Sequence, residues 1–577
     1  MIKGLSMYVL KRVFITLLLL YSQQSLAFIT VGLDPDCDYD NIFPAYQDGD
    51  PEIRVTNQQL HANNFVMDTI KVFKGGYDSC QDAVNDVPGE ENTRWSGLNA
   101  INNTVIELDA NLPFLVTVVM ERFDIFDGEN TTAAGAGGIK VSGSSRLILR
   151  DSRVYDNLGQ EGGGIHVSGV NASLVLENTL VEDNTANGYG GGLFCTLGAS
   201  ISMDADSASR TNSASFNGGG IYADQLCEVI SYSGRYSLED GSKGLVQNRA
   251  AKGGGIYLQT GARFESHGSQ EFPARIYVNY ATQHDEAGGG GLYLTGAGTR
   301  AVLTNTYIDS NASLFHGGAM VVTNQAVLEM GQSPLGCSFN DLGHCSRIHG
   351  NGTDGAVASG GAGHLVNGGE AHISQTLISR NRSALTAGLE VLEQAYLKLE
   401  GNVITHHSDN SGNQASTLMA VRGDPGFQSR IDFAYNTVAD NNTDRIFVVN
   451  GLLQGQSLNV FNSIIWDQGD VFTVSGNDNA IQIDCSVVHE NQSLQGNVGV
   501  ILTNDPLFTN TVNENYRLTL ASDAIDLCDQ FFYQAEHEDM DGFDRGIDES
   551  NINDFLGPYE AGAYEYSADI IFNSNFD

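Results

Sequence analysis

The chain has 577 residues and a formal charge of −41, from 29 Lys and Arg against 70 Asp and Glu. Nucleic acid and anionic membrane both want a basic patch, so neither is expected as a partner. Glycine is abundant at 67, proline is scarce at 10, and 41% of residues are hydrophobic, which excludes a disordered or collagen-like chain.

Residues 1–27 read as a secretory signal peptide. Lys3, Lys11 and Arg12 make a basic start, residues 13–20 form an apolar run too short to span a bilayer, and Ser25-Leu26-Ala27 places small residues at the cleavage positions. A membrane anchor is the alternative, but no stop-transfer pattern follows. The reading implies an exported protein, secreted or held at a surface, with no transmembrane segment after cleavage. Residues 28–130 are expected to form an N-terminal cap and the first coils. Within them, 38–47 suits a short capping helix, and 53–55 and 69–73 suit strands.

The central region, 131–470, is built on a glycine triplet followed by an apolar–x–apolar step. Gly162-Gly163-Gly164-Ile165-His166-Val167 is one copy and Gly253-Gly254-Gly255-Ile256-Tyr257-Leu258 another. Degenerate copies extend the run from Gly138 to Gly388, at intervals of 25 to 44 residues. A second module of twelve residues lies between triplets, at 146–157, 173–184, 300–311, 370–381, 396–407, 430–441 and 457–468. Its second and fourth positions are usually apolar, its ninth is always β-branched, and five of the seven copies end in Asn. Alternation over three to five residues is strand periodicity. A recurring Asn marks a recurring tight corner, and stacked corners make an Asn ladder. Three short strands per turn at this period predict a right-handed parallel β-helix with capped ends, all-β and single-stranded. A β-propeller is the structural rival; it needs about forty residues per blade and hairpin turns that this spacing lacks.

Residues 471–566 continue as C-terminal coils and a cap, with the acidic stretch 530–554 and residues 559–566 assigned to that cap. Residues 567–577 form a tail with a possible sorting motif. Eight cysteines in an exported chain suggest disulfides. Cys337 and Cys345 enclose a short loop. Cys37 with Cys80, Cys195 with Cys227, and Cys485 with Cys528 are the economical remaining pairs, although connectivity stays open at this level. Cys337, His344, Cys345 and His349 also offer zinc-type ligands, at a spacing that fits no structural zinc motif.

The Asn corner followed by the triplet resembles the repeat of the polymorphic outer membrane proteins. Asn184-Thr185-Ala186 leading into Gly190-Gly191-Gly192-Leu193 is the best copy, and Asn248-Arg249-Ala250-Ala251 before Gly253 is a second. The C-terminal part resembles secreted bacterial right-handed β-helix proteins of the choice-of-anchor type. It does so through Asn462-Ser463-Ile464-Ile465-Trp466, Asp505-Pro506-Leu507-Phe508, Asn515-Tyr516-Arg517-Leu518 with Ala524-Ile525-Asp526, and Gly562-Ala563-Tyr564-Glu565. These resemblances imply a pectin-lyase-like β-helix at the cell surface, and they do not specify an activity.

β-Helices serve both adhesins and polysaccharide-cleaving enzymes, so the fold leaves both readings open. Outward positions after the triplets carry Lys140, His166, Phe194, Tyr222, Tyr257, Tyr293, Val321 and Glu390, with no paired acid for glycoside hydrolysis. His166, Phe194, Tyr222, Tyr257 and Tyr293 predict an external aromatic stripe suited to an extracellular glycan or a cell-surface protein. The enzyme alternative, a lyase or hydrolase, rests on His344, Arg347, His349 and His364 in the longest excursion. Asp539, Asp541 and Asp544 around Gly542 hint at calcium but depart from the EF-hand spacing; no other cofactor is indicated. Adhesion or extracellular interaction is the expected function. Mass spectrometry of the exported protein is expected to find Phe28 as its first residue; an intact Met1 would contradict the signal reading.

Overall fold

The computed structural model describes residues 27–566, apart from 63, 233, 238–240, 285, 339–343, 424–427, 452–457, 477–479, 490–495, 530, 532 and 549–554. The signal region 1–26 and the tail 567–577 lie outside the described residues. Strands stack coil upon coil into long sheets whose pairings are all parallel, as a β-helix requires. The triplet row has fourteen strands, from Phe65–Met67 to Asp470–Gly476. The alternating row, from the start of the twelve-residue module, has seventeen, from Phe28–Val31 to Asn497–Val498. The ladder row, from the module's end, has sixteen, from Leu60–Ala62 to Ile501–Leu502. A fourth, corner row of eight short strands runs from Glu129–Asn130 to Gly352–Thr353. The sequence predicts three strands per coil; in these central coils the backbone after the Asn corner is extended enough to pair as well.

Ile139, Ile165, Leu193, Ile221, Ile256, Leu292 and Met320 pair in register and are fully buried. They form one wall of the core. Leu147 and Leu149 stack on Leu174 and Leu176 in a second wall, and Val154 on Val181 in a third. The triplets let coils approach closely. Gly162 has φ +77°, a left-handed conformation that favours glycine, and a Cβ on Gly191 would come within 2.5 Å of the Gly219 carbonyl oxygen. Here the backbones bond from coil to coil, as in Gly191 N–H to Gly218 O at 3.0 Å.

The Asn ladder runs through Asn157, Asn184, Asn212, Asn248, Asn279, Asn311, Asn351 and Asn381, then His407, Asn441 and Asp467. In the repeating unit, the side-chain oxygen of Asn212 accepts from the Asn184 backbone N–H at 3.0 Å and from its side-chain amide at 3.1 Å. The Asn212 amide in turn donates to the Val181 carbonyl at 2.9 Å. Nearly every polar atom of a fully buried side chain is thus used, which burial demands. The sequence alignment places Gln468 at the last corner, but Asp467 occupies it, because the corner is one residue shorter there.

The long triplet intervals are excursions from the coils, mainly between the alternating and ladder rows and in part between the corner row and the next triplet, not inserted coils. One holds the hairpin of Tyr236–Ser237 with Gly241–Ser242; another holds the Cys337–Cys345 disulfide. Tyr222 still pairs with Tyr257 across the first of them. At the N-terminal end, helix Ile42–Gln47 is capped by the Asn41 side chain and buries Tyr46 against Phe65 and Phe73.

The C-terminal segment does not end as a plug over the last coil. The described residues of 505–566 turn back along the outer flank of the ladder row. Leu377, Val403 and Ala439 on that flank pack against Tyr516, Met540, Ala563 and Tyr564. Outward residues of these late coils are apolar, and the returning chain removes them from water. Gln375 donates to the Asp539 carbonyl at 2.8 Å, Glu400 accepts from the amides of Glu536 and His537, and Cys528 bonds Cys485. All four cysteine pairs expected from the sequence are formed. Among the described residues no helix is long and apolar enough to cross a membrane.

Two ladder residues titrate in opposite senses. His407 accepts from the Asn381 amide at Nε2 and meets Asn441 Oδ1 at 2.9 Å through Nδ1, and burial pushes it down to about 4. Its stabilising contribution is complete above the unfolded value near 6.5 and is lost as pH falls towards 4. Burial pushes Asp467 up to about 6, so its contribution is complete below 3.8 and is lost as pH rises through 6. His407→Asn is expected to reduce the loss of stability between pH 6.5 and 4 by about 3 kcal/mol, and Asp467→Asn to reduce the opposite loss between pH 4 and 6 by a similar amount. Denaturant melts across this pH range check both signs.

Candidate functional site

The outward side of the triplet row brings one residue per coil into a single file. In register order it reads Glu107, Lys140, His166, Phe194, Tyr222, Tyr257, Tyr293, Val321, His364 and Glu390. The middle is a ring ladder. His166 meets Phe194 edge-on at 4.7 Å; Phe194–Tyr222, Tyr222–Tyr257 and Tyr257–Tyr293 then stack at 5.0, 5.5 and 5.0 Å. The interplanar angles of those three stacks are between 4° and 11°.

This file is not the open stripe that the sequence predicts. Phe194, Tyr222, Tyr257 and Tyr293 are only 5–9% exposed. The rings shield one another, and the corner row folds over them: Tyr189 lies 5.0 Å from Tyr222 and is itself covered by Phe216 at 5.4 Å. Lys252 sits over Tyr293. The Gln259 amide donates to the Tyr222 hydroxyl at 2.7 Å and to Asp224 at 3.0 Å. Burial pushes the hydroxyls of Tyr222, Tyr257 and Tyr293 up, so the rings stay neutral.

Where the ring ladder begins, the surface opens into a depression of about 400 Å³. Phe194, Tyr222 and Tyr189 line it on the aromatic side; Lys140, Glu161, Asp224 and Gln225 add polar groups. Buried His166 also faces it, pushed down to about 4 by burial and by Lys140. Burial raises Glu161 above the usual carboxylate range, against the pull of Lys140. An aromatic wall with a few convergent donors and acceptors suits a sugar ring or a polar side chain.

At the other end, His364 Nδ1 lies 3.0 Å from Glu390 and stacks on His316 at 4.8 Å, with an interplanar angle of 7°. Burial pushes Glu390 up, but the His364 hydrogen bond and the nearby His364 and Arg422 charges outweigh it and hold the carboxyl below its ordinary value. One ligand-type atom from each of His316, His364 and Glu390 lies within 4.8 Å of the others, the arrangement in this row that can hold a transition metal. Ser359 N–H occupies His316 Nδ1 at 2.9 Å, so a metal on that nitrogen would displace this bond.

The other sequence candidates are used structurally. Arg347 forms a bidentate pair with Asp309 and lies over Tyr307, on the ladder row. His349 bonds Ser379 at 2.8 Å. His344 is fully buried, which pushes it down to about 3. His364 belongs to the triplet row, a different sheet, so the four do not form one constellation. The zinc reading fails because Cys337 and Cys345 are bonded to each other. Asp539 is buried and accepts from the amides of Asp541, Phe543 and Glu565; Asp541 pairs with Arg517, and Asp544 is exposed. Among the described residues these three acids are not a converging ligand set.

No protein-family model matches the chain, and no curated protein matches it. Function therefore has to be read from the site. The sequence reading overlooked Tyr189, Glu161 and His316, which reach the row from corners and loops rather than from its own period. Tyr257→Ala, in the middle of the ring ladder, is expected to cost about 3 kcal/mol in a denaturant melt, whereas Leu226→Ser, at a position 68% exposed, is expected to change stability by less than about 1 kcal/mol.

Proposed function

We propose that the protein acts outside the cell as an adhesion or interaction protein, and that the depression beside His166 and Phe194 holds part of an extracellular glycan or cell-surface protein. The observation that carries this reading is the rigid ring ladder ending in an open polar hollow. The rings fix the aromatic wall, so its groups are preorganised for a ligand. Four disulfides suit an oxidising environment, and the net charge of −41 suits solubility there. The resemblance of the repeat to surface proteins points the same way.

The test is a glycan array and a cell-attachment assay with the full chain and with Lys140→Ala/Gln225→Ala. Both side chains lie on the rim, so the melting temperature is expected to stay within about 2 °C of the parent. Binding is expected to fall at least about tenfold, the loss of roughly 1.4 kcal/mol of contact. Unchanged attachment in the folded variant would sink the proposal.

A further inference from the structure

A cleft larger than that depression lies elsewhere, where the returning C-terminal segment meets the last ladder corners. Its volume is about 830 Å³, within the usual range of about 300–1,000 Å³ for small-molecule sites. One wall is Trp466 with Asp440, Asn442, Thr443 and Gln468; the facing wall is Asp505, Leu507, Phe508 and Val512. The aromatic ladder and its depression share no residue with it.

From this geometry we infer that the cleft is a binding site for an uncharged saccharide, with Trp466 as the ring platform. Trp466 is the outward residue of the ladder row, and its register neighbour is Ala439, too small to cover an indole. The His489 ring lies against it at 4.8 Å, tilted by 53°. A half-buried indole offers the flat apolar face that the C–H side of a sugar ring requires.

Around the indole stand groups that match vicinal hydroxyls. Asp440 gives one oxygen to the Tyr516 hydroxyl and Asp505 one to the Leu507 amide, leaving each carboxylate a second acceptor. Gln414, Asn442 and Gln468 supply amides at the rim. Thr443 lines the cleft and is 2% exposed, and its buried hydroxyl has no hydrogen-bond partner among the described residues. A buried hydroxyl is costly to leave unmatched, and a ligand hydroxyl would complete it.

Charge selects among sugars. No Lys or Arg lines the cleft, and its imidazole, His406, is turned to Thr405 at 2.8 Å and Glu514 at 3.9 Å, while Asp440, Asp467 and Asp505 line it. A uronate or sulfated sugar would meet carboxylates without a counter-charge, so the neutral class is favoured. Asp467 is committed to the ladder through Asn441 and acts as part of the frame.

The chain carries its own reporter. It has two tryptophans, and Trp95 is fully buried in the core, so a ligand-induced emission change reports Trp466. Full-length mature protein is titrated with neutral gluco-, xylo- and manno-oligosaccharides, with oligogalacturonate and with chitosan oligomers. At least one neutral series is expected to shift or quench the emission saturably. Calorimetry is then expected to show at least a fivefold weaker affinity in Gln468→Ala, Asp505→Ala and Thr443→Val, with unchanged melting. Lys140→Ala/Gln225→Ala should leave this binding intact, which separates it from the depression. Response to none of the neutral series, response to a charged series alone, or full affinity in all three cleft variants would overturn the inference.

Discussion

Everything on the outer surface of this protein depends on register, and register is held by hydrogen bonds from side chain to backbone inside the solenoid. Each buried Asn joins its own coil to the coil before it and leaves almost no polar atom unsatisfied. A slip by one residue would orphan those atoms in a dry interior and would turn the apolar columns outward. The glycine triplets act at the neighbouring corner, where they let backbone meet backbone with nothing between. These two corners leave the strands little freedom to slide. Rings 28 to 36 residues apart in the chain therefore lie nearly parallel, about one strand spacing apart.

The same economy explains what could be read directly from the residues. Ile139 to Met320 announce themselves because each follows a glycine triplet, and strand periodicity puts them on one face. The ladder at Asn157, Asn184, Asn311 and Asn381 shows for the same reason. Asn248 shows through its place just before the triplet at Gly253, whereas Asn212, Asn279 and Asn351 are hidden, because their coils carry serine-rich strands or long excursions that break the twelve-residue alignment. Alternation marks the ring file as facing away from the core, but that is not the same as facing water. Tyr189 covers the rings from a corner strand and Phe216 covers Tyr189 in turn, and no period in the ring file encodes that cover. Stacked rings also bury one another whatever surrounds them.

The two hollows differ in how they arise. The depression at Phe194 lies at the open end of a periodic structure, so its aromatic half is written in the repeat and its polar half is not. The cleft at Trp466 is produced by tertiary return: Asp505 and Phe508 come to the last ladder corners only because the chain folds back. The linear sequence shows Trp466 and Asp505 as parts of separate C-terminal motifs, with no local sign that they face one another. Likewise His364 looks like a loop histidine until the register sets it between Val321 and Glu390.

A solenoid whose coils touch only their neighbours would ordinarily fray from its ends, one coil at a time. The returning C-terminal segment changes that. It is locked to the last coils by Cys485–Cys528, and it reaches back to Gln375 through a bond spanning 164 residues of chain. The final coil cannot peel away while the segment stays in place, and the segment cannot lift without exposing the apolar flank of several coils together. The C-terminal third therefore opens as a block or not at all. If the chain is exported as proposed, this removes the partly unwound end at which digestion of a linear stack would begin, and a pulling force applied there would be shared by many coils instead of being concentrated on one.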